Sequence, residues 1–134
     1  MSRFGKVLDS WAILAFLQDE PQAQKVEEIL VKCNQDGIPL LMTTVNLGEV
    51  WYSVTRDHSG QVADEKVENI RSLGIEIIPA DWTLAYQAAQ YKAKGNIAYA
   101  DCFAAALAAL RNADLVTGDQ DFKRFEGVIK IDWI

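Results

Sequence analysis

The stretch FGKVLDSWAILAFL, residues 4–17, joins a short apolar run directly to a longer apolar segment of helical composition. The run Phe4–Leu8 has the length of a buried strand, and Ser10–Leu17 continues as a helix. Asp9 stands between the two and is the only acidic residue in the stretch. The stretch therefore predicts a strand, a carboxylate at the carboxyl end of that strand, and a helix.

The same order of strand and helix recurs along the rest of the chain. Apolar, β-prone runs predict further strands at Ile38–Thr43, Ile75–Ile78, Leu115–Thr117 and Val128–Ile131. Helical patterns are present at Gln22–Asn34, Val45–Arg56, Gln61–Leu73, Asp81–Lys94 and Ala98–Leu110, and Asp119–Phe125 is predicted to hold a small helix. Because parallel strands need crossover connections, this alternation predicts a three-layer α/β/α sandwich around a parallel sheet of about five strands.

Length and composition limit the other classes of protein. A chain of 134 residues that is 50% hydrophobic can build one sizeable core, so residues 1–134 are expected to form a single domain. The formal net charge of −6 excludes a basic, phosphate-binding clamp, but it does not exclude nucleic acid as a substrate. Two cysteines and one histidine cannot form the usual zinc sites. Without a membrane-spanning run or a leader cleavage site, the protein is expected to be soluble and cytoplasmic.

The acidic residues that follow or interrupt apolar segments indicate a catalytic or metal-binding site. These residues are Asp9, Glu49, Asp101 and Asp119, with Asp121 as either a fifth metal ligand or a solvated surface acid. The carboxyl ends of parallel strands share one edge of a sheet, where ligands bind, so the four carboxylates are expected to converge. Carboxylates that repel one another are complementary to a hard divalent cation, Mg²⁺ or Mn²⁺. The pattern therefore predicts metal-dependent phosphate chemistry.

Each acid also has a structural interpretation. Asp9 and Asp119 stand where a helix N-cap accepts backbone N–H bonds. Asn46, with Glu49 three residues later, has the form of a capping box at a helix start. Asp101 is harder to explain in this way, because it lies among alanine and aromatic residues with no lysine or arginine in reach along its own helix.

Two further features beside the acids have open interpretations. Lys92 and Lys94, just before the helix of Asp101, either contact a phosphate backbone or form a solvated helix end. Trp11, close to Asp9, is either a core residue or a platform on which a nucleobase stacks. The sequence alone does not choose between these interpretations.

Four short motifs occur in order along the chain: VLDSWAILAFLQDEP at residues 7–21, NLGEVWY at 46–52, AYADCFAAALA at 98–108 and LVTGDQDF at 115–122. They resemble the motifs of the PIN-domain ribonucleases, especially the VapC-type toxins of toxin-antitoxin pairs. Each motif alone is weak, but the four together extend over nearly the whole chain. Trp11 departs from the pattern, because a smaller residue is expected beside the site. The substrate is therefore expected to fit differently.

The resemblance implies an endoribonuclease that depends on Mg²⁺, for which Mn²⁺ can substitute, and that leaves 3′-hydroxyl and 5′-phosphate ends. It implies that the metal is held by Asp9, Glu49, Asp101 and Asp119. It also implies that Ser10 and Thr117, which have no histidine close in sequence to activate them, orient a carboxylate or water. The implied partners are RNA, a second copy of the chain in a homodimer, and a small antitoxin whose basic segment is attracted to the acids.

Two other functions remain open at this point. One is a catalytically silent PIN-fold binding module. The other is an aspartyl-phosphate phosphotransfer domain, which also places an aspartate after its first strand. In phosphatases of that kind the pattern is Asp-x-Asp, whereas this chain has Asp9, Ser10 and Trp11 in those places. Replacement of Asp101 by asparagine separates an enzyme from a binding module, because only the enzyme loses turnover.

Overall fold

The computed structural model describes residues 4–134, with five strands and six α-helices in this part of the chain. The strands are β1 (Lys6–Leu8), β2 (Leu40–Thr43), β3 (Ile75–Ile78), β4 (Asp114–Thr117) and β5 (Ile131–Trp133). The helices are α1 (Ser10–Leu17), α2 (Ala23–Asp36), α3 (Thr44–Asp57), α4 (Gly60–Ser72), α5 (Trp82–Lys94) and α6 (Tyr99–Arg111), and a 3₁₀ helix covers Gln120–Phe125. None of these helices is both long and apolar enough to cross a membrane, as far as the described residues are concerned.

The strands form one parallel sheet in the order β3-β2-β1-β4-β5, so the first strand lies at its centre. Lys6 pairs with Leu40 on one side and with Asp114 on the other. Helices cover both faces of the sheet, which confirms the three-layer α/β/α architecture. With this order, the residues that follow β1, β2 and β4 come out at one edge of the sheet.

Each face of the sheet has its own hydrophobic core. Successive residues of a strand point to opposite faces, so Val7 packs with α5, α6 and the 3₁₀ helix, whereas Leu8 packs with α1, α2, α3 and α4. Both side chains are fully buried. A sheet that is buried on both faces has no polar alternation along its strands, and this explains the continuous apolar runs in the sequence.

The last strand differs from its predicted position. Val128–Ile131 was expected to be β5, but the strand covers Ile131–Trp133. The backbone N–H groups of Val128 and Ile129 donate to the carbonyl of Phe125, so these two residues close the turn after the 3₁₀ helix. β-Branched composition is typical of strands, but in residues 128–129 it belongs to a turn.

At the other end of the chain, β1 begins at Lys6, and Phe4, predicted as strand, is 62% exposed. The prediction that the start of the chain has no leader cleavage site falls in part on residues 1–3, which lie outside the described residues.

A buried lysine lies at the amino end of the central strand. Lys6 Nζ lies 2.5 Å from Asp132 Oδ2, to which it donates a hydrogen bond, and 3.4 Å from Asp114 Oδ2. Two carboxylates therefore compensate this buried charge, as a cation inside a protein requires. The lysine stands at the opposite end of β1 from Asp9.

Candidate metal centre at the carboxyl edge of the sheet

Asp9 follows β1 and is held by hydrogen bonds to both of its carboxylate oxygens. Its Oδ1 accepts from the backbone N–H of Ala12 at 2.8 Å, which confirms Asp9 as the N-cap of α1. Its Oδ2 accepts from Thr117 Oγ1 at 2.5 Å. The residue is only 2% exposed, so its orientation is fixed by the fold.

Thr117, the last residue of β4, joins two of the acids. Besides donating to Asp9, its hydroxyl oxygen accepts from the backbone N–H of Asp119 at 3.0 Å. Asp119 Oδ1 in turn accepts from the backbone N–H of Asp121 at 2.9 Å, which confirms Asp119 as the cap of the 3₁₀ helix. A single buried threonine thus sets the relative positions of Asp9 and Asp119.

The capping-box interpretation of Asn46 and Glu49 is wrong. Helix α3 begins at Thr44, directly after β2, and its N-cap is Thr43, whose Oγ1 accepts from the backbone N–H of Asn46 at 3.0 Å. Asn46 is therefore already inside the first turn, and Glu49 lies in the second turn. Glu49 was expected one turn after the strand and is slightly farther along.

Asn46 is a site residue whose role the sequence did not reveal. It is 0% exposed, and its Oδ1 accepts from Thr43 Oγ1 at 2.6 Å. Its Nδ2 donates to Glu49 Oε1 and to the carbonyl of Ala100, each at 3.1 Å. Ser10 Oγ donates to the same Glu49 oxygen at 2.9 Å. Glu49 is thus held from α1 and α3, and Asn46 also ties α3 to the first turn of α6, beside Asp101.

Three carboxylates form the closest group. One oxygen from each of Asp101, Asp119 and Asp121 lies within 4.8 Å of the others. The pKa of Asp101 is raised to about 7, mainly by burial and then by the negative charges of Asp119, Glu49 and Asp121, in that order. Asp121, the uncertain fifth candidate, therefore belongs to this group, whereas Glu49 lies outside it and acts on Asp101 through its charge.

Asp9 lies close enough to the same group for the charges of Asp101 and Asp119 to act on its carboxylate. Burial is the main reason that the pKa of Asp9 is raised to about 7. The hydrogen bonds from Thr117 and Ala12 oppose that shift, and the charges of Asp101 and Asp119 add to it. All five acids singled out in the sequence thus lie at one edge of the sheet, although only three of them form the close group.

The group has no basic partner in the described part of the chain. Across residues 4–134, the ion pairs within 4 Å are those of Lys6 with Asp114 and Asp132, and that of Lys32 with Asp36. The raised pKa values of Asp9 and Asp101 reflect burial and mutual repulsion that no lysine or arginine offsets. The donor set is all oxygen, which suits a hard divalent cation.

A tryptophan packs tightly against the loop between Thr117 and Asp119. A Cβ atom built on Gly118 would lie 2.3 Å from Trp11 Cη2, closer than real Cβ contacts. Only glycine therefore fits beneath the indole ring as it stands. Trp11, the bulky residue that departs from the family pattern, fits here because Gly118 has no side chain.

We expect Asn46→Ala to destabilise the protein by about 2–3 kcal/mol, because it removes a fully buried amide that accepts from the hydroxyl of Thr43 and donates to Glu49 and to the carbonyl of Ala100. Ser10→Ala removes only one donor to Glu49 and should cost about 1 kcal/mol. Urea unfolding of both variants measures the difference. If the two variants lose the same free energy of unfolding, Asn46 stabilises the protein only through Glu49.

The sequence matches a known protein family, and the fold is similar to those of several solved structures. The model of the PIN domain matches residues 6–128, so the chain belongs to the PIN domain family. No curated protein sequence matches the chain.

Three solved structures show the same fold at low sequence identity. VapBC2 from Rickettsia felis, bound to a promoter DNA fragment, has a TM-score of 0.73 and 20% identity over 96% of this chain and 98% of its own. DNA-bound VapBC from Salmonella typhimurium has a TM-score of 0.72 and 18% identity over 96% of each chain. VapC20 from Mycobacterium tuberculosis, described as a Sarcin-Ricin loop cleaving toxin, has a TM-score of 0.70 and 13% identity over 90% of this chain and 94% of its own.

Proposed function

We propose that this chain is a Mg²⁺-dependent endoribonuclease and the toxin of a toxin-antitoxin pair. The observation that carries the proposal is the group of three carboxylate oxygens within 4.8 Å of one another, backed by the buried Asp9 and by Glu49. Membership of the PIN domain family supports it. So does the structural similarity to VapC20, a toxin that cleaves the Sarcin-Ricin loop.

The acidic group fits the cation that the family implies. One carboxylate oxygen from each of Asp101, Asp119 and Asp121 lies within 4.8 Å of the others, and carboxylate oxygens are the ligands that Mg²⁺ prefers. We assign the metal to these residues together with Asp9 and Glu49. A bound divalent cation polarises the phosphate, lowers the pKa of a water ligand and neutralises charge on the leaving oxygen.

The chain's own residues position the acids. Thr117 fixes Asp9 and the backbone of Asp119, while Ser10 and Asn46 hold Glu49. The hydroxyl groups of Ser10 and Thr117 donate to carboxylates and so orient them. His58, the single histidine in the sequence, is exposed at the end of α3. We therefore assign the attack to water, with 3′-hydroxyl and 5′-phosphate ends as the expected products.

The aspartyl-phosphate alternative is opposed by the surroundings of Asp9. A nucleophilic carboxylate needs an accessible oxygen, whereas Asp9 is 2% exposed and both of its oxygens accept hydrogen bonds. No observation favours that function over metal-dependent hydrolysis.

The similar structures include VapBC2 and a toxin-antitoxin complex from Klebsiella pneumoniae, and on this basis we propose a cognate antitoxin. From the family resemblance we also propose a homodimer of a single-domain chain. The uncompensated acids would attract a basic or arginine-bearing segment of such an antitoxin.

The direct test is cleavage of a mixed RNA pool by the purified, antitoxin-free protein. We expect cuts in the presence of Mg²⁺ or Mn²⁺ that disappear with EDTA. A folded protein that binds Mg²⁺ and cuts no RNA in the pool would favour the catalytically silent binding module.

The acidic group also predicts how stability depends on pH without metal. The pKa values of Asp9 and Asp101 rise from 3.8 to about 7 on folding, so the folded chain binds more protons than the unfolded chain between those values. The free energy of unfolding should therefore fall as pH rises from about 4 to about 7. Asp9 is 2% exposed, so the rise of its pKa to about 7 alone implies a loss of about 4 kcal/mol, and Asp101 adds less than its own pKa shift implies because its carboxylate is partly solvated.

Thermal unfolding in EDTA at pH 5 and pH 8 measures this effect. We expect the Tm to be several degrees higher at pH 5, by about 2–8 °C per kcal/mol. Mg²⁺ should raise the Tm at pH 8 and have little effect at pH 5, where protons compete with the cation. Asp101→Asn should flatten the pH dependence. A Tm in EDTA that increases from pH 5 to pH 8 would contradict the assigned repulsion.

A further inference from the structure

A second feature beside the acidic group is a cleft of about 380 Å³ between the end of α5 and the 3₁₀ helix. Tyr91 and Phe125 lie in its lining, with their rings in an edge-to-face contact at 5.1 Å. Lys94 and Arg124 line the same cleft. It therefore combines an aromatic surface with two cationic side chains, and its volume is within the range of ligand-binding clefts.

Lysine and arginine are concentrated around this cleft, although the chain as a whole is acidic. Although the protein carries a formal charge of −6, residues 92–97 and 122–130 hold five lysines and arginines and a single acid, Glu126. Lys92 is already engaged, because its Nζ donates to the carbonyl of Ile97 at 2.6 Å. Lys94 and Arg124 have no ion pair within the part of the chain that the structure describes.

The geometry of the 3₁₀ helix places one of these cations next to the acids. Residues three apart eclipse one another in a 3₁₀ helix, so Phe122 and Phe125 share the buried face. By the same periodicity Asp121 and Arg124 share another face, about 6 Å apart along the axis. The guanidinium of Arg124 is held toward the cleft, since its Nη1 donates to the carbonyl of Asn96 at 3.2 Å.

A second connection runs through the start of α6. The loop of Gly95 and Asn96, against which Arg124 lies, leads into the helix that carries Asp101. The cleft that Gly95 and Arg124 line therefore lies at the loop that leads to Asp101.

We propose that Lys94 and Arg124 bind a backbone phosphate of single-stranded RNA that flanks the bond held at the acidic group, with the ribose or base resting on Tyr91 and Phe125. This inference rests on the proposed function, because it assumes that RNA is the ligand. Five carboxylates and a negative net charge repel an RNA backbone, so binding requires local cations beside the acids. Lysine and arginine over an aromatic surface are the usual means of holding such a strand.

The test compares two pairs of charge-neutralising substitutions. Lys94→Gln with Arg124→Gln removes the cations of the cleft and keeps most of their aliphatic length. Lys25→Gln with Arg71→Gln removes the same charge from exposed positions on α2 and α4, which cover the other face of the sheet. Both pairs are made in the Asp101→Asn background, and binding of a fluorescein-labelled, mixed-sequence, single-stranded RNA oligonucleotide is measured in Mg²⁺ across a salt series.

We expect the cleft pair to weaken RNA binding roughly 10-fold and to lower the slope of log affinity against log salt by about 0.7, since one neutralised phosphate of a single strand contributes about that much. The control pair should change the slope little, and circular dichroism should show both proteins folded. Equal effects of the two pairs, or an unchanged slope for the cleft pair, would overturn the assignment; in the second case an acidic peptide becomes the better candidate ligand.

The two proposals fail separately. Loss of RNA affinity in the cleft pair, with no metal-dependent cleavage by the unsubstituted protein, would support the RNA-binding cleft and count against the nuclease.

Discussion

Asp101→Asn should lower metal-dependent RNA cleavage by at least about 10³-fold and leave the protein folded. The substitution removes a negative ligand from the group of three close carboxylates, and a loss of about 4 kcal/mol of transition-state stabilisation corresponds to that factor. The fold should not suffer, because the change also removes a partly buried charge that Asp119, Glu49 and Asp121 repel. At pH 8 in EDTA the Tm should be unchanged or higher.

The matched control is Asp57→Asn, the same chemical change at an exposed position at the end of α3. Cleavage products of the two variants are compared on sequencing gels with and without EDTA. The control should cut at the same sites as the unsubstituted protein and at a similar rate. Cleavage that survives both Asp101→Asn and EDTA would refute metal-dependent hydrolysis at this group of acids.

The second large effect is expected from Gly118→Ala, a change of one methyl group. The new Cβ would lie 2.3 Å from Trp11 Cη2, so either the indole ring or the loop between Thr117 and Asp119 must move. Overpacking of this kind costs about 1–3 kcal/mol. Because Trp11 and Gly118 adjoin Asp9 and Asp119 in the chain, the shift is transmitted to the acids, and turnover should fall about 10²-fold.

A double substitution tests this contact. Trp11→Ala removes the ring, so adding Gly118→Ala to it should cost little further stability or turnover. Gly127→Ala is the neutral control, because a Cβ at Gly127 meets nothing within 4 Å. If Gly118→Ala alone has normal activity and a normal Tm, the indole ring is not seated on Gly118.

Much of the fold could be predicted from local sequence patterns. Helix α1 has the predicted bounds, Ser10–Leu17, because a capping aspartate and an apolar segment define it locally. Helix α5 begins after Asp81 for the same reason, since its carboxylate accepts from the backbone N–H of Leu84. The position of β5 could not be predicted, because backbone hydrogen bonds to Phe125, rather than composition, decide where the preceding turn ends.

The site was predictable in its residue types but not in its internal geometry. Asp9 and Asp101 could be identified as isolated acids among apolar residues. An ionised group in such surroundings costs free energy and so indicates a function. The role of Asn46 depends on Ala100, 54 residues away in sequence, and no local pattern reveals such a contact. Asp121 joins the close group because Asp119 caps the 3₁₀ helix and turns it, which is a property of the folded loop.

The turn between β3 and α5 divides the acids into two sets. Asp9 and Glu49 precede that turn, with strands β1 to β3 and the helices that cover one face of the sheet. Asp101, Asp119 and Asp121 follow it, with β4, β5 and the helices of the other face. Neither part of the chain contains all five acids, and the two parts of the sheet meet where β1 pairs with β4. A chain cut at this turn would carry two of the acids on one fragment and three on the other, so bringing all five together requires the two fragments to dock.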